Sequence, residues 1–183
     1  MNHSYHAETE NLRIRPLSRG DIEQLRVWRN NREETRFLRN IGYITEEAQA
    51  RWFEAYLSRR DEVTFAIETY ASHKTPHLIG SLALYGIDGE RSVCEIGKIQ
   101  IGDSNAHGKG YGRKALVMAA KIAFWELGMK KITACVHQEN FPSHTNFTRI
   151  GFQIVGQQDS AAGGTEDLME ITESAARSNP LYF

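Results

Sequence analysis

The chain has 183 residues, a length that fits one domain able to bury a core without disulfides or metals. Its formal net charge of −1 argues against a dedicated nucleic-acid-binding protein, which usually carries a basic face. The polar start lacks the apolar segment of a signal peptide, and no apolar run reaches membrane-spanning length, so a cytoplasmic protein without a membrane partner is expected.

The first predicted elements are a strand and a helix. Alternating residues from Leu12 predict the strand. Ser18 and Asp21 then have the spacing of a capping box, and Ile22 and Leu25 begin the apolar stripe of a helix that ends near Asn30. The expected organisation is a flexible arm over residues 1–10, a single domain over 11–173 and a tail over 174–183.

A second helix and three strands follow. Thr45 is a suitable N-cap, and Trp52, Phe53 and Tyr56 lie at helical spacing after it. Turn residues then separate three runs with strand-like composition. These strands are predicted over residues 63–70, 77–87 and 92–102.

The second half of the chain predicts two more helices and three more strands. A long helix over 110–127 precedes Gly128, and a short helix over 143–152 is ended by Gly151. A buried strand over 130–137 lies between them, and two closing strands form a hairpin. The strand–helix–strand unit at 92–137 predicts one parallel pair within a mixed, mostly antiparallel sheet, which is an α+β fold.

Two cysteines, Cys94 and Cys135, lie in apolar, strand-like runs. This context predicts two buried, reduced thiols. No C-x-x-C motif occurs, so neither a zinc site nor a redox site of that type is expected, and no metal is predicted.

The stretch HGKGYGRKAL, from His107 to Leu116, opens the long helix with three glycines and three cations. Free N–H groups at a helix N-terminus bind anions, and glycines allow a phosphate to approach the backbone. The run matches neither the P-loop nor the G-x-G-x-x-G pattern. Taken alone, the run is a weak signal of a phosphate site, and a plain glycine-rich turn is the alternative.

A second segment narrows this interpretation. Asn140, Ser143, Phe147 and the Gly151–Phe152 pair follow the next strand. Together with the glycine-rich turn they resemble two motifs of the GNAT family of N-acetyltransferases, Gln/Arg-x-x-Gly-x-Gly/Ala and Asn-x-x-Ser-x-x-x-Tyr-x-x-x-Gly-Phe. The resemblance implies acetyl-CoA as acetyl donor, helices on both faces of the sheet, and a splayed parallel pair that opens near Ile101 and His137.

The resemblance also assigns cofactor contacts by position. The turn would hold the pyrophosphate through backbone N–H groups, and the preceding strand would pair with the pantetheine arm as a peptide adds to a strand edge. The implied pyrophosphate residues are His107, Gly108, Lys109, Gly110, Tyr111, Gly112 and Arg113. The implied pantetheine and acetyl contacts are Ile99, Gln100, Ile101, Asn140, Ser143 and Asn146.

Two positions depart from the family pattern. His107 replaces the usual Gln or Arg, and its charge would depend on pH. Phe147 replaces a tyrosine that is thought to protonate the departing thiolate. A thiol has a pKa near ~8.5 and leaves fairly well without an acid, so catalysis would be slowed rather than prevented. Water, Ser143 or His144 are candidates to supply the proton.

The acceptor amine needs a base more than the thiolate needs an acid. Glu95, on the strand that flanks the acetyl group, is the first candidate, and similar family members carry a Glu in the same "EIG" context. His137, at the end of the next strand, is the second. The alternative for Glu95 is an ion-paired strand residue, with Lys98 as partner, and the alternative for His137 is a structural role.

The first two helices resemble family branches that acetylate ribosomal-protein N-termini, polyamines or amino sugars, and the WRN stretch followed by ITEEAQARWF looks most like the amino-sugar branch. Four arginines there are candidates to meet a substrate diphosphate, with a solvated surface as the alternative: Arg29, Arg32, Arg36 and Arg39. The expected function is acetyl transfer to a primary amine, by a protein that could form a homodimer. A non-catalytic acetyl-CoA-binding regulatory domain and an unrelated phosphate-binding module remain the alternatives.

Overall fold

The computed structural model describes residues 2–31, 33, 35–38, 42–70 and 75–183. Within these residues, eight strands form one sheet and five α-helices accompany it. In chain order the elements are β1 (Ala7–Thr9), β2 (Leu12–Pro16), α1 (Ile22–Asn30), α2 (Glu46–Ser58), β3 (Glu62–Thr69), β4 (His77–Asp88), β5 (Val93–Ile101), α3 (Tyr111–Lys121), β6 (Lys131–His137), α4 (Phe141–Arg149), β7 (Gln153–Asp159), β8 (Thr165–Thr172) and α5 (Glu173–Arg177).

The strands run in the order β1-β2-β3-β4-β5-β6-β8-β7 across the sheet. Neighbouring strands are antiparallel except for β5 and β6, which are parallel. The predicted α+β class and the single parallel pair are therefore confirmed.

Two apolar clusters cover the two faces of the sheet. The larger joins α3 to side chains such as Phe65 and Ile67 of β3, and the smaller joins α1 and α2 to Ala66 between them. Successive strand residues point to opposite faces, so α3 lies on one face and α1 and α2 lie on the other. This confirms the prediction of helices on both faces.

The two chain ends differ from the expected arm and tail. Ala7–Thr9 pairs antiparallel with Leu12–Ile14 through a tight turn, although its polar residues give no apolar alternation. At the other end, Tyr182 is fully buried and its hydroxyl donates to the Ile150 carbonyl, 3.2 Å away. The burial of Tyr182 depends on contacts with distant residues, which local sequence patterns do not record, whereas β1 is a local pairing that lacks the apolar alternation typical of a strand.

The predicted helix caps are confirmed in part. Thr45 caps α2 by accepting a hydrogen bond from the Ala48 N–H at 3.2 Å. At α1 the N-cap is Asp21, not Ser18, and the Asp21 carboxylate accepts from both the N–H and the hydroxyl of Ser18. The long helix also departs from regular α geometry, because a π-helical turn over Ile122–Glu126 follows α3.

The prediction of two buried thiols is right for Cys94 and wrong for Cys135, which is exposed. Alternation along β6 puts Ala134 and Val136 into the core and turns Cys135 to the opposite face. No helix in the described part of the chain is long and apolar enough to cross a membrane.

Candidate functional site

The parallel pair of strands opens into a cleft. Its ladder joins residues 93–95 to residues 131–133 and ends at Glu95 and Thr133. Immediately beyond, β5 carries one extra residue opposite β4, since Ala83 pairs with Gly97 whereas Ser81 pairs with Gln100. Such a bulge bends a strand and increases its twist. The bulge therefore accounts for the predicted splay between the ends of β5 and β6.

Lys98 occupies the bulge with a φ of 51°, a left-handed conformation that is uncommon outside glycine. Its ammonium donates to Glu62 at 2.8 Å and lies 4.5 Å from the centre of the Tyr85 ring. The alternative in which Lys98 pairs with Glu95 is therefore wrong. The buried carboxylate of Glu62 balances the Lys98 charge instead, and Arg59 also pairs with Glu62.

The N-terminus of α3 lies at the end of β5, after a short 3₁₀ turn. Gly110 is its N-cap with a φ of 77°, and Gly108 has a φ of 73°. The first helical bond runs from the Lys114 N–H to the Gly110 carbonyl, which leaves the N–H groups of the preceding turn without helical acceptors. This geometry suits a phosphate.

Gly112 is a glycine for a different reason. It has no positive φ, and a Cβ added there would lie 3.7–3.8 Å from Ile101, Asn146 and Ile99, which is ordinary contact distance. The protein itself therefore has room for a side chain at this position. The structure brings these four predicted cofactor residues together around the start of α3.

The charges around this turn are positive. The first turn of α3 holds no acidic residue, and Lys109, Arg113 and Lys114 follow one another closely in sequence. Lys114 donates to the Asn11 side chain at 3.2 Å, whereas Lys109 is exposed. Partly buried Tyr111 packs against the main core and anchors the start of the helix.

Two of the predicted cofactor-contact residues form hydrogen bonds within the protein that stabilise the site. His107 donates from Nε2 to the Ile101 carbonyl at 2.7 Å, so its ring supports the turn and leaves only Nδ1 for a ligand. Gln100 donates from its amide to the Trp28 carbonyl at 3.1 Å, which ties β5 to α1. Trp28 also packs so tightly on Gly102 that a Cβ there would lie 2.1 Å from the indole.

The cleft itself lies between the diverging strands and the start of α4. It is lined by Phe37, Leu38, Gly97, Lys98, Ile99, Cys135, Val136, His137, Asn140, Ser143, Phe147 and Glu166. Among the described residues, no group of three or more His, Cys, Asp or Glu side chains could hold a metal ion.

Glu95 points to the cleft side of the sheet, since its neighbours Cys94 and Ile96 both lie in the core on the α3 side. It is half-buried and accepts a hydrogen bond from the hydroxyl of Tyr85, its cross-strand partner. Cys135 lies on the same side. Desolvation, the carboxylates of Glu95 and Glu166, and a hydrogen bond to Glu95 raise the pKa of Cys135 to about 11.

His137 has both ring nitrogens occupied. Its Nδ1 accepts the Glu139 N–H at 3.2 Å, and its Nε2 donates to the Gly163 carbonyl at 2.7 Å. The two contacts fix one neutral tautomer with no free lone pair. This arrangement favours a structural role for His137 over a role as the catalytic base.

The motif on α4 is positioned by its cap. Asn140 is the N-cap, and its side-chain oxygen accepts the Ser143 N–H at 3.2 Å, which leaves its NH₂ group for a ligand. Phe147 follows two turns after Asn140, with 3% of its surface exposed, and packs edge-on against Phe152 at 5.0 Å. The aromatic ring thus belongs to the core as well as to the cleft wall.

Sequence reasoning missed Tyr85 and Glu166. Alternation alone puts Tyr85 on the opposite face from Leu84, but its pairing with Glu95 depends on bulges in the β4–β5 register. No motif marks Glu166, which lies in β8 opposite His137. Its carboxylate accepts hydrogen bonds from Ser160 and Gln158.

The predicted arginine cluster is described only in part. Arg36 lies 4.7 Å from the centre of the Phe37 ring. Arg32 and Arg39 fall outside the described residues.

Comparisons with known proteins identify the same family. A family model for the acetyltransferase (GNAT) domain matches residues 11–153. An uncharacterized N-acetyltransferase, p20, of Bacillus licheniformis is 28% identical over 154 residues, which cover 81% of this chain and 82% of that protein.

Solved structures share the fold. The spermidine N-acetyltransferase of Vibrio cholerae, solved with CoA and spermine, has a TM-score of 0.82 at 22% identity and covers 92% of this chain and 99% of its own. A domain from Methanocaldococcus jannaschii has a TM-score of 0.75 at 24% identity, covering 89% and 99% of the two chains. With the family match and the glycine-rich turn, these findings show that the chain belongs to the GNAT acetyltransferase family and is an acyltransferase that uses acetyl-CoA.

Proposed function

We propose that this chain transfers an acetyl group from acetyl-CoA to a cationic aliphatic primary amine by direct attack, with Glu95 as the base. The observation that carries the proposal is the position of Glu95, a half-buried carboxylate on the cleft side of β5 at the point where β5 and β6 separate. A thioester threaded between the strands would present its carbonyl close to that point.

The cofactor end of the site is supported by the α3 turn. Gly108 and Gly110 adopt left-handed conformations that turn backbone N–H groups toward an anion, and Gly112 gives it clearance. The pantetheine arm would then run along β5 at Ile99 and contact the free NH₂ group of Asn140. Pairing with the Ile101 carbonyl would compete with His107, which already donates to it.

The charge on the cleft side favours a cationic acceptor. Glu95 and Glu166 both lie close enough to Cys135 to raise its pKa, which places two carboxylates around one point of the cleft. Among the described residues that line the cleft, Lys98 carries the only ammonium, and it is paired with Glu62. An ammonium that enters the cleft beside Cys135 would lie near the carboxylates of Glu95 and Glu166.

The reaction places its main demand on the amine. An alkylammonium has a pKa near ~10.4, so removing its proton at neutral pH costs roughly 4–5 kcal/mol. Glu95 would accept this proton directly or through water, after which the amine nitrogen bonds to the thioester carbon and the C–S bond breaks. The thiolate takes up a proton from water or from the Ser143 hydroxyl, because Phe147 has none to donate.

The apolar part of the lining supports an aliphatic acceptor. Phe37 and Leu38 face the cleft opposite β6 and suit methylene groups rather than sugar hydroxyls. The Vibrio cholerae protein of the same fold is a spermidine N-acetyltransferase, which agrees with a polyamine. Protein N-termini and amino sugars are the competing acceptor classes, and an assay of acceptor amines should include both.

Replacement of Glu95 by glutamine tests the base. The E95Q variant keeps the shape of the side chain but cannot take a proton, so kcat is expected to fall about 10²–10⁴-fold. The affinity for CoA should stay unchanged. Thiol release with spermidine, putrescine, an amino sugar and an N-terminal peptide measures the rate, and calorimetry measures CoA binding.

The matched control is Glu90→Gln in the exposed β4–β5 turn, which should leave both quantities unchanged. Wild-type turnover by E95Q would remove Glu95 as the base. CoA binding without turnover on any amine of the panel would favour the non-catalytic acetyl-CoA-binding domain instead.

A further inference from the structure

Tyr85 stands out because no motif marks it and the acetyl-transfer chemistry does not call for it. It lies opposite Glu95 in the β4–β5 ladder, and its hydroxyl donates to Oε1 of Glu95. Burial and this hydrogen bond raise the pKa of Tyr85, so the hydroxyl stays protonated and remains a donor across the working range of an enzyme.

The surroundings hold the phenol in one place. Lys98 at the bulge lies 4.5 Å from the centre of the ring, and its ammonium is itself fixed by Glu62. Gly97 leaves clearance for the phenol, since a Cβ there would lie 2.9 Å from the Tyr85 oxygen. The contact with the Lys98 ammonium and the absence of a side chain at residue 97 both constrain the position of the ring.

A cross-strand carboxylate normally has several rotamers open to it. Here the Tyr85 hydroxyl restricts the choice, because it donates to one carboxylate oxygen of Glu95 from the neighbouring strand β4.

We propose that Tyr85 is a positioning residue for acetyl transfer, which holds the Glu95 carboxylate at the opening of the cleft. This inference rests on the proposed role of Glu95 as base. Tyr85 acts through Glu95, so its hydroxyl should matter only while that carboxylate is present.

A double-mutant cycle tests this dependence. Tyr85→Phe removes only the hydroxyl and is expected to lower kcat about fivefold or more, the equivalent of one hydrogen bond of about 1 kcal/mol. CoA affinity should not change. In an E95Q background the same substitution should have almost no further effect on kcat, because there is no base left to position.

The outcomes separate the two proposals. An unchanged E95Q rate defeats the base assignment, whatever Tyr85 does. If E95Q is slow but Y85F lowers kcat by the same factor in both backgrounds, the base assignment stands and Tyr85 is merely structural. Wild-type kcat for Y85F also overturns the positioning role. Tyr182→Phe, which removes a different buried hydroxyl, is the control and should leave kcat unchanged.

A second variant covers the case in which Y85F folds poorly. Gly97→Ala places a methyl group against the Tyr85 oxygen and should displace the hydroxyl from Glu95. It is expected to lower kcat with Tyr85 present and to have a smaller effect beside Phe at position 85, where the nearest contact is relieved. Equal effects of G97A in both backgrounds, or none, would contradict the proposal.

Discussion

Gly110 and Gly112 are two residues apart, and each is a glycine for its own physical reason. At Gly110 the backbone requires it, because the N-cap φ of 77° strains most side chains. At Gly112 the backbone does not require it, and the protein leaves room for a Cβ. The first glycine therefore shapes the turn, and the second is the one that the proposed approach of a pyrophosphate would require.

Asparagine and aspartate at position 110 separate charge from conformation. Both tolerate the left-handed region and have nearly the same shape, but only aspartate brings a negative charge to the N–H groups of α3. Gly110→Asp is expected to bind CoA at least about tenfold more weakly than Gly110→Asn. Titration calorimetry with CoA measures the difference.

The control is Gly89→Asp, in the turn at the far end of the β4–β5 hairpin, where an added Cβ meets nothing within 4 Å. It adds the same charge away from α3 and should bind CoA like the wild type. Equal affinities of the Asp and Asn variants at position 110 would show that no pyrophosphate lies over this turn.

At the scale of elements, α1 is docked by a buried ion network rather than by its apolar stripe alone. Arg15 donates to both oxygens of Asp21 at 2.7 and 2.8 Å and also pairs with Glu68 at 2.6 Å. Burial acts to raise the pKa of Asp21, but the hydrogen bonds from Arg15 and Ser18 outweigh it, and the net pKa is lowered. The network joins the start of α1 to β2 and β3.

This lowered pKa predicts how stability depends on pH. Asp21 contributes stability above its unfolded pKa of about 3.9, and the contribution is lost as pH falls through the lower folded pKa. Asp21→Asn should cost about 1–3 kcal/mol in the free energy of unfolding at pH 7. The gap to the wild type should shrink between about pH 5 and pH 2.

Urea unfolding at a series of pH values measures this gap. Asp159→Asn, at an exposed position of β7, serves as the control and should follow the wild type throughout. A pH-independent difference between D21N and the wild type would mean that the Asp21 carboxylate is not the stabilising group.

At the scale of the whole molecule, the C-terminal segment completes the core. Tyr182 has none of its surface exposed, packs edge-on against Trp125, and donates to the Ile150 carbonyl just after α4. The segment thus links the π-helical turn after α3 to the end of the helix that carries Asn140 and Ser143.

Tyr182→Ala is expected to lower the free energy of unfolding by about 3–5 kcal/mol, since it leaves a large cavity and an unsatisfied carbonyl. Its neighbour supplies the control, because Phe183 is 79% exposed and Phe183→Ala should have a much smaller effect. Denaturant midpoints compare the two variants. Similar midpoints would show that the segment does not pack on the core in solution.

Much of the architecture is predictable from local patterns. The alternation at Leu12, the cap at Thr45 and the turn glycines at Gly128 and Gly151 all coincide with element ends in the structure. Such signals involve only residues a few positions apart, so they can be recognised without knowledge of the tertiary fold. The polar sequence of β1 gives too weak a signal to predict that strand.

The functional site likewise contains features that the sequence predicts and features that it does not. By itself, the sequence determined the glycine-rich turn at residues 107–112 as a local pattern, and the resemblance carried by this turn and the Asn140–Phe152 segment made Glu95 a candidate base. Only the tertiary structure decided that Tyr85 holds Glu95, that Glu62 takes Lys98 and that Cys135 faces the cleft. The contacts of Tyr85 and Lys98 depend on strand register, which two bulges between β4 and β5 shift by single residues, and the exposure of Cys135 depends on which face of β6 packs on the core.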